Sequence, residues 1–476
     1  MYKRLLKDAS LYSASSVLAR GFSFLTVPIF TRILSPADYG ALDLLTYMAM
    51  LIFLVLGAAI EQAAGRFYVD NKDEKSRREI ASTALFYNVI IFSLFVPLAP
   101  WFAQLLSDRW LDGHVGPGTV LIVFGFTWAQ AIFNAANNQL RYVFMAREYA
   151  LCNVGNVILS TLLGFAFLVW LRLGVAGVFL GQMLGQIIFS GVSIYLARGS
   201  YGLTFKWPVL RRMLKYSLPL VPGSISFFVM QYVDRYALNE LKGLSEVGVY
   251  GMGARVASLL NLFLMGFQGA WWPLMLEKFR EPSAPIQFRN VFNAYLLVTL
   301  TLLVSLSLLG REMLLVLTTP EFAEGFTLVP PLVFSVILGS IAAYFTYGIQ
   351  IAEKSHYRLT LNLAALLISV VLNFALVPAW GVMGAAIANV SASLVLVIPS
   401  LIVSQRLYHV PYQWAGIIGT TVLALAVSCS VIFIHFQATS LGIAVKLFAI
   451  MLLIPVMARL LGVPLDPKAL RGALSR

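Results

Sequence analysis

Charge is scarce in this chain. Asp, Glu, Lys and Arg make up 12% of its 476 residues, about half the share of a typical soluble domain. With 59% hydrophobic residues and a mean hydropathy of +0.83, this excludes an ordinary soluble protein. The two cysteines, Cys152 and Cys429, lie in apolar stretches of opposite halves and offer neither a disulfide framework nor a metal spacing. The histidines His114, His356, His409 and His435 are scattered and form no metal cluster. No GxxxxGKS/T phosphate loop is present, so no nucleotide hydrolysis is expected of the chain itself. Neither a Ser/His/Asp arrangement nor paired carboxylates point to an enzyme, and no cofactor is implied. No connection between apolar runs exceeds about twenty residues. There is thus no polar domain of the kind a membrane-embedded glycosyltransferase or polymerase would need.

What the chain has instead is hydrophobic runs of spanning length. They fall at 9–33, 39–63, 79–105, 117–140, 149–171 and 174–197, then at 213–239, 247–276, 289–310, 327–351, 358–379 and 381–404, and finally at 413–434 and 440–461. At ~20 apolar residues per crossing, these predict fourteen spans in an all-α polytopic membrane protein. The basic N-terminus is followed by an apolar run that Arg20 interrupts, which suits a retained first span better than a cleaved leader.

The net charge of +13 is read as topology rather than nucleic-acid binding. Of the 34 Lys and Arg, 25 fall in the termini and even-numbered connections, five in odd-numbered connections and four within spans. By the positive-inside rule both termini are cytoplasmic.

Two motifs repeat. Leu34-Ser35-Pro36-Ala37-Asp38-Tyr39-Gly40 recurs as Leu244-Ser245-Glu246-Val247-Gly248-Val249-Tyr250-Gly251, about 210 residues on. Gly174-Val175-Ala176-Gly177 recurs as Gly381-Val382-Met383-Gly384, 207 residues on. Both fall at matching places in a six-span unit, so the expected architecture is two parallel repeats, an N-lobe over 1–205 and a C-lobe over 206–405. Spans 13 and 14 and a tail occupy 406–476. Paired repeats of this kind place substrate in a central cleft.

Ionisable residues inside spans are expensive and mark cavities or mutual pairs. Here they concentrate in the first two spans of each lobe: Arg20, Asp43 and Glu61 in one, and Asp234, Arg235 and Arg255 in the other. Ser13, Ser16, Arg20 and Ser23 follow a helical spacing that makes one polar stripe. Arg20 either faces the cavity or satisfies a carboxylate. Asp234 and Arg255 sit at similar depth on either side of the turn near residue 243; they form either a structural bridge or part of a site. If they pair, Arg235 and Arg20 remain as uncompensated cations. Pro219 and Pro222-Gly223 invite a bend or gate in the seventh span. The amide cluster Asn134, Asn137, Asn138 and Gln139, with Arg141 beside it, suits either sugar hydroxyls or interhelical hydrogen bonds. Lys446, near the end of the last span, is expected to snorkel to the interface.

Several of these patterns resemble the oligosaccharide flippases of the multidrug/oligosaccharidyl-lipid/polysaccharide exporter superfamily. They are Pro28-Ile29-Phe30-Thr31-Arg32-Ile33-Leu34-Ser35-Pro36-Ala37-Asp38-Tyr39-Gly40, Gly57 with Gly65-Arg66-Phe67-Tyr68, and Asp234-Arg235 followed by Gly248-Val249-Tyr250 and Arg255. The resemblance implies a bacterial inner-membrane flippase. It would move polyprenyl-diphosphate-linked oligosaccharides to the periplasmic leaflet by alternating access, for O-antigen, capsule or exopolysaccharide assembly. Its partners would be that lipid-linked oligosaccharide, membrane lipids and polysaccharide polymerase or ligase proteins. Arg20, Asp234, Arg235 and Arg255 would line the cleft, and Asn137 and Arg141 are added as substrate-binding candidates. Arg suits phosphate bidentately. Outward movement of negative charge is favoured by ~2.3 kcal/mol per charge per 100 mV, so the membrane potential could drive transport. For coupling to H⁺ or Na⁺, the candidates are Asp43, Glu61 and Asp234. A drug/cation antiporter and a lipid II flippase of the same superfamily remain as alternatives.

Overall fold

The computed structural model describes residues 26–464, apart from 112, 353, 355 and 434–439, together with residues 11, 15, 17, 18, 21 and 22. Among the described residues every regular element is helical. Eleven helices are long and apolar enough to cross a membrane, or twelve if one bent pair counts as a single span. The first predicted span lies mostly outside the described residues, and Arg20 with it.

The long helices are α1 (Pro36–Gly57), α3 (Glu74–Phe95), α5 (Pro117–Tyr142), α6 (Ala146–Val169) and α7 (Gly174–Leu196) in the first half. Between them lie the short α2 (Ile60–Asp70), α4 (Ala99–Trp110) and α8 (Trp207–Ser217). The second half contains α9 (Val221–Lys242), α10 (Leu244–Ser258), α11 (Leu260–Lys278), α12 (Ala284–Leu317), α13 (Val329–Phe345), α14 (Tyr347–Ile351), α15 (His356–Leu407), α16 (Trp414–Phe433) and α17 (Ser440–Leu461).

The chain forms two compact units. One comprises residues 1–232 and 243–248, the other 233–242 and 249–476. In the first, α5, α6 and α7 pack on one another, and the short α2 and α8 pack beside α3. In the second, α13 lies on α15, and α12 carries both α16 and α17.

The repeated motifs acquire physical roles. Ser35 caps α1 in a capping box with Asp38, and Pro36 occupies the first turn, where its missing N–H is harmless. A Cβ on Gly40 would lie 2.0 Å from the Leu244 carbonyl oxygen, and one on Gly248 would lie 2.0 Å from that of Pro36. Only glycine permits so close a crossing of two backbones. The contact is reciprocal, and its matched residues stand 208 apart, close to the spacing of the other repeat. Gly174 and Gly381 both have positive φ, 55° and 52°. Just beyond each, Gly177 abuts Phe167 and Gly384 abuts the Leu376 carbonyl. Residues 376 and 384 meet only if the chain reverses between them, so α15 is a hairpin of two helices broken at Gly381.

Three predicted spans have different internal structure. The run at 39–63 stops at Gly57, where Ala58 and Ala59 both adopt left-handed φ, of 47° and 51°. Such conformations cost of order 1 kcal/mol or more each for a residue with a Cβ. The Leu56 carbonyl, left without its helical donor, accepts from the Tyr87 hydroxyl at 2.9 Å. Glu61 therefore opens a separate helix, α2, instead of ending a span. The run at 247–276 is α10 and α11, bent by 41°. Pro219 sits in a 3₁₀ turn over Leu218–Leu220, and Pro222 lies in the first turn of α9, so the prolines mark a junction between helices where no interior hydrogen bond is lost.

Candidate functional site

Among the described residues, each unit holds a buried polar cluster built around a carboxylate. In the first, α2 enters the interior with Glu61 in its first turn. Glu61 Oε2 accepts from Asn138 Nδ2 at 2.5 Å, and the Glu61 carbonyl accepts from the Tyr142 hydroxyl at 2.9 Å. Oε1 is buried with no hydrogen-bond partner. It borders a small cavity, about 10 Å³ for the centre of a water molecule, lined also by Tyr68, Asn138, Gln139 and Tyr142. That is about the least space a water needs. Burial raises the Glu61 carboxyl to about 7, opposed by the Asn138 hydrogen bond and the Arg141 charge. The first turn of α2 thus presents a protonatable group at neutral pH.

The amide cluster divides on folding. Asn138 serves Glu61, while Asn137 and Gln139 are buried, each with one polar atom unsatisfied. Arg141 is exposed at the end of α5, its guanidinium 5.9 Å from the centre of the Tyr142 ring. Asp43 is buried in α1. Of the two substrate-binding candidates on α5, Asn137 is buried and Arg141 is exposed.

The second cluster joins α9, α10 and α15. Asp234 is fully buried, and its Oδ2 accepts from Arg235 Nη1 at 2.7 Å, the Tyr250 hydroxyl at 2.6 Å and Asn389 Nδ2 at 2.7 Å. Oδ1 accepts from the Arg235 backbone N–H at 2.7 Å. The Arg235 guanidinium lies 5.0 Å from the centre of the Tyr250 ring. Asp234 thus takes its counter-charge from its sequence neighbour. Arg235, left uncompensated only if Asp234 paired with Arg255, is itself the partner of Asp234. Arg255 is half-buried on α10.

A third charge also departs from expectation. Lys446 does not snorkel: it is buried on α17 and meets Glu312 of α12 at 2.6 Å. Asn293 Nδ2 donates to the Leu461 carbonyl at 2.9 Å lower on the same two helices. Sequence reasoning missed Asn389, Glu312 and the Tyr142 hydroxyl. Asn389 carried a signal, a lone amide in a run of small apolar residues. Glu312 lay just past the predicted end of its span, and Tyr142 had none.

Comparison with known proteins adds the following. The family described as "Polysaccharide biosynthesis protein" matches residues 5–279. An uncharacterized membrane protein of Haemophilus influenzae is 23% identical over 290 residues, covering 60% of this chain and 68% of the relative. Among solved structures, the lipid II flippase MurJ in an inward closed conformation superposes with a TM-score of 0.69 at 14% identity, covering 94% of this chain and 98% of that one. An inward-facing multidrug resistance MATE family transporter of the MOP superfamily gives a TM-score of 0.65 at 16% identity, covering 83% and 94%. At these identities the structural likeness establishes the fold. The apolar helices, the family match and the membrane-protein relative make this a multi-pass inner-membrane protein.

Proposed function

The chain belongs to the polysaccharide biosynthesis protein family, and from that premise we propose that it is a flippase for polyprenyl-diphosphate-linked oligosaccharide repeat units, carried from the cytoplasmic to the periplasmic leaflet. The observation that carries this reading is the family match, which spans both copies of the Leu-Ser motif and the Asp234-Arg235 pair. The fold shared with the lipid II flippase supports it, because that protein is itself a flippase of a lipid.

An inside-negative potential favours outward movement of an anionic head group. Glu61 is the group best placed for proton coupling. Burial raises its carboxyl to about 7 and leaves Oε1 without a hydrogen-bond partner.

The test is deletion of the protein followed by sorting of lipid-linked oligosaccharide between leaflets. Accumulation in the cytoplasmic leaflet supports the reading. An unchanged distribution with altered drug resistance would favour an antiporter, and accumulation of lipid II would favour the peptidoglycan reading.

A further inference from the structure

The connection between α7 and α9, residues 197–220, plays no part in the clusters above. From 149 to 233 the sequence contains no Asp or Glu, yet it includes Arg198, Lys206, Arg211, Arg212 and Lys215. The positive-inside rule assigns this connection to the cytoplasmic side.

The connection is firmly held. The Gly202 N–H donates to Ser82 Oγ at 2.8 Å, and the Lys206 N–H donates to Thr83 Oγ1 at 3.2 Å. The α8 helix buries Leu210 and Met213 against Ile60, Ala64 and Ala81. Two cation–π contacts clasp it to α2 in opposite senses, with Arg212 4.6 Å from the Phe67 ring centre and Arg66 4.9 Å from that of Tyr216.

With Leu210, Met213 and Ser217 inward, the 3.6-residue repeat places Arg211, Arg212 and Lys215 on the opposite face, where all three are exposed. None of these three, nor Lys206, forms an ion pair among the described residues. The nearby carboxylates Asp70 and Glu74 are paired with Arg66 and Arg78. Beside the cations stand three apolar side chains with no cover: Leu203 at 98% exposure, Trp207 at 63% and Phe205 at 42%. On a span such exposure meets lipid tails. On a basic connection it has the composition of an interfacial anchor, with cations for head groups and a tryptophan at head-group level.

We propose that this surface docks anionic phospholipid of the cytoplasmic leaflet, with Lys206, Arg211, Arg212 and Lys215 on the phosphates and Leu203, Phe205 and Trp207 in the head-group boundary. The α8 helix leads through Pro219 into α9, so the docked lipid fixes the segment that joins the two repeats to the membrane surface. The inference is independent of which cargo is carried.

The test uses the full chain in nanodiscs containing brominated lipids. The Trp207 signal is taken as the difference between wild type and Trp207→Phe. Brominated phosphatidylglycerol should quench it at a lower mole fraction than brominated phosphatidylcholine. Each cation near an anionic surface changes partitioning roughly five-fold, so Arg211→Gln/Arg212→Gln/Lys215→Gln should abolish most of the preference. A variant-free measurement complements it: the wild-type preference should fall as ionic strength rises, because exposed charges are screened. Equal quenching by the two lipids, an unchanged preference in the triple variant or indifference to salt would overturn the proposal. So would displacement of phosphatidylglycerol by one equivalent of polyprenyl diphosphate, which would assign the surface to the cargo head group instead.

Discussion

Glu61 gives the sharpest quantitative expectation. Its carboxyl moves from 4.5 to about 7 because burial disfavours the charged form more than Asn138 and Arg141 favour it. Such a displacement corresponds to on the order of 3 kcal/mol of differential interaction between the two protonation states. The direction is opposite to that of a salt-bridged carboxylate. The folded chain holds the proton more tightly than the unfolded chain, so between pH 4.5 and about 7 the folded state carries the excess proton. Its stabilising contribution is complete below 4.5, declines as pH rises through that window and is gone above about 7.

Glu61→Gln removes the titration while keeping an acceptor for Asn138. Unfolding midpoints of wild type and Glu61→Gln, measured side by side in detergent from pH 4 to 8.5, should diverge as pH rises, with wild type losing stability relative to the variant by about 3 kcal/mol, a few degrees in midpoint. Arg141→Gln removes a charge that favours the carboxylate, so it should move the divergence to higher pH. Parallel curves for wild type and Glu61→Gln would refute the reasoning, since they would mean that Glu61 titrates normally and is hydrated.

The other expectations concern pairs and close approaches. Asp234→Asn removes the counter-charge 2.7 Å from Arg235 and should destabilise by about 3–5 kcal/mol in urea or thermal unfolding; Asp234→Asn/Arg235→Gln should recover much of that. Lys446→Met leaves the half-buried Glu312 without the amine 2.6 Å away and should cost about 1–3 kcal/mol, while Lys446→Met/Glu312→Leu should be close to wild type. Gly40→Ala forces a methyl group to 2.0 Å from the Leu244 carbonyl and should destabilise by about 3 kcal/mol or more, read as lost folded yield. Gly266→Ala, with nothing within 4 Å of the added carbon, is the matched control and should be neutral or slightly stabilising.

Much of the fold was legible because lipid imposes a simple grammar: long apolar runs must be helices. The Gly174 and Gly381 motifs were legible for a related reason, since a positive φ between tightly packed helices admits little but glycine. Breaks within runs were not legible. Nothing in Leu56-Gly57-Ala58-Ala59-Ile60 announces two left-handed alanines, because the helix end is stabilised from outside by Tyr87. The depth of Asp234 was estimated along the chain, but its partners Tyr250 and Asn389 come from α10 and α15, and one dimension cannot show which side chains meet. The Lys446 pair is hidden for the same reason, with Glu312 134 residues away in sequence.

Pairing changes what a charge inside this protein means for transport. A lone arginine in an apolar matrix presents a full positive charge to a diphosphate. Arg235 bonded to Asp234 presents a net-neutral unit whose acceptor is already shared with Tyr250 and Asn389. Loss of transport in Arg235→Ala therefore does not by itself identify a cargo ligand, because the same substitution strands a fully buried carboxylate. The double variant Asp234→Asn/Arg235→Gln separates the two roles, since it keeps the unit neutral, close in size and with one acceptor oxygen for its neighbours. If the pair is a brace, the double variant flips lipid-linked oligosaccharide wherever it folds. If Arg235 releases Asp234 to take the diphosphate during the cycle, the double variant folds, inserts and fails to flip.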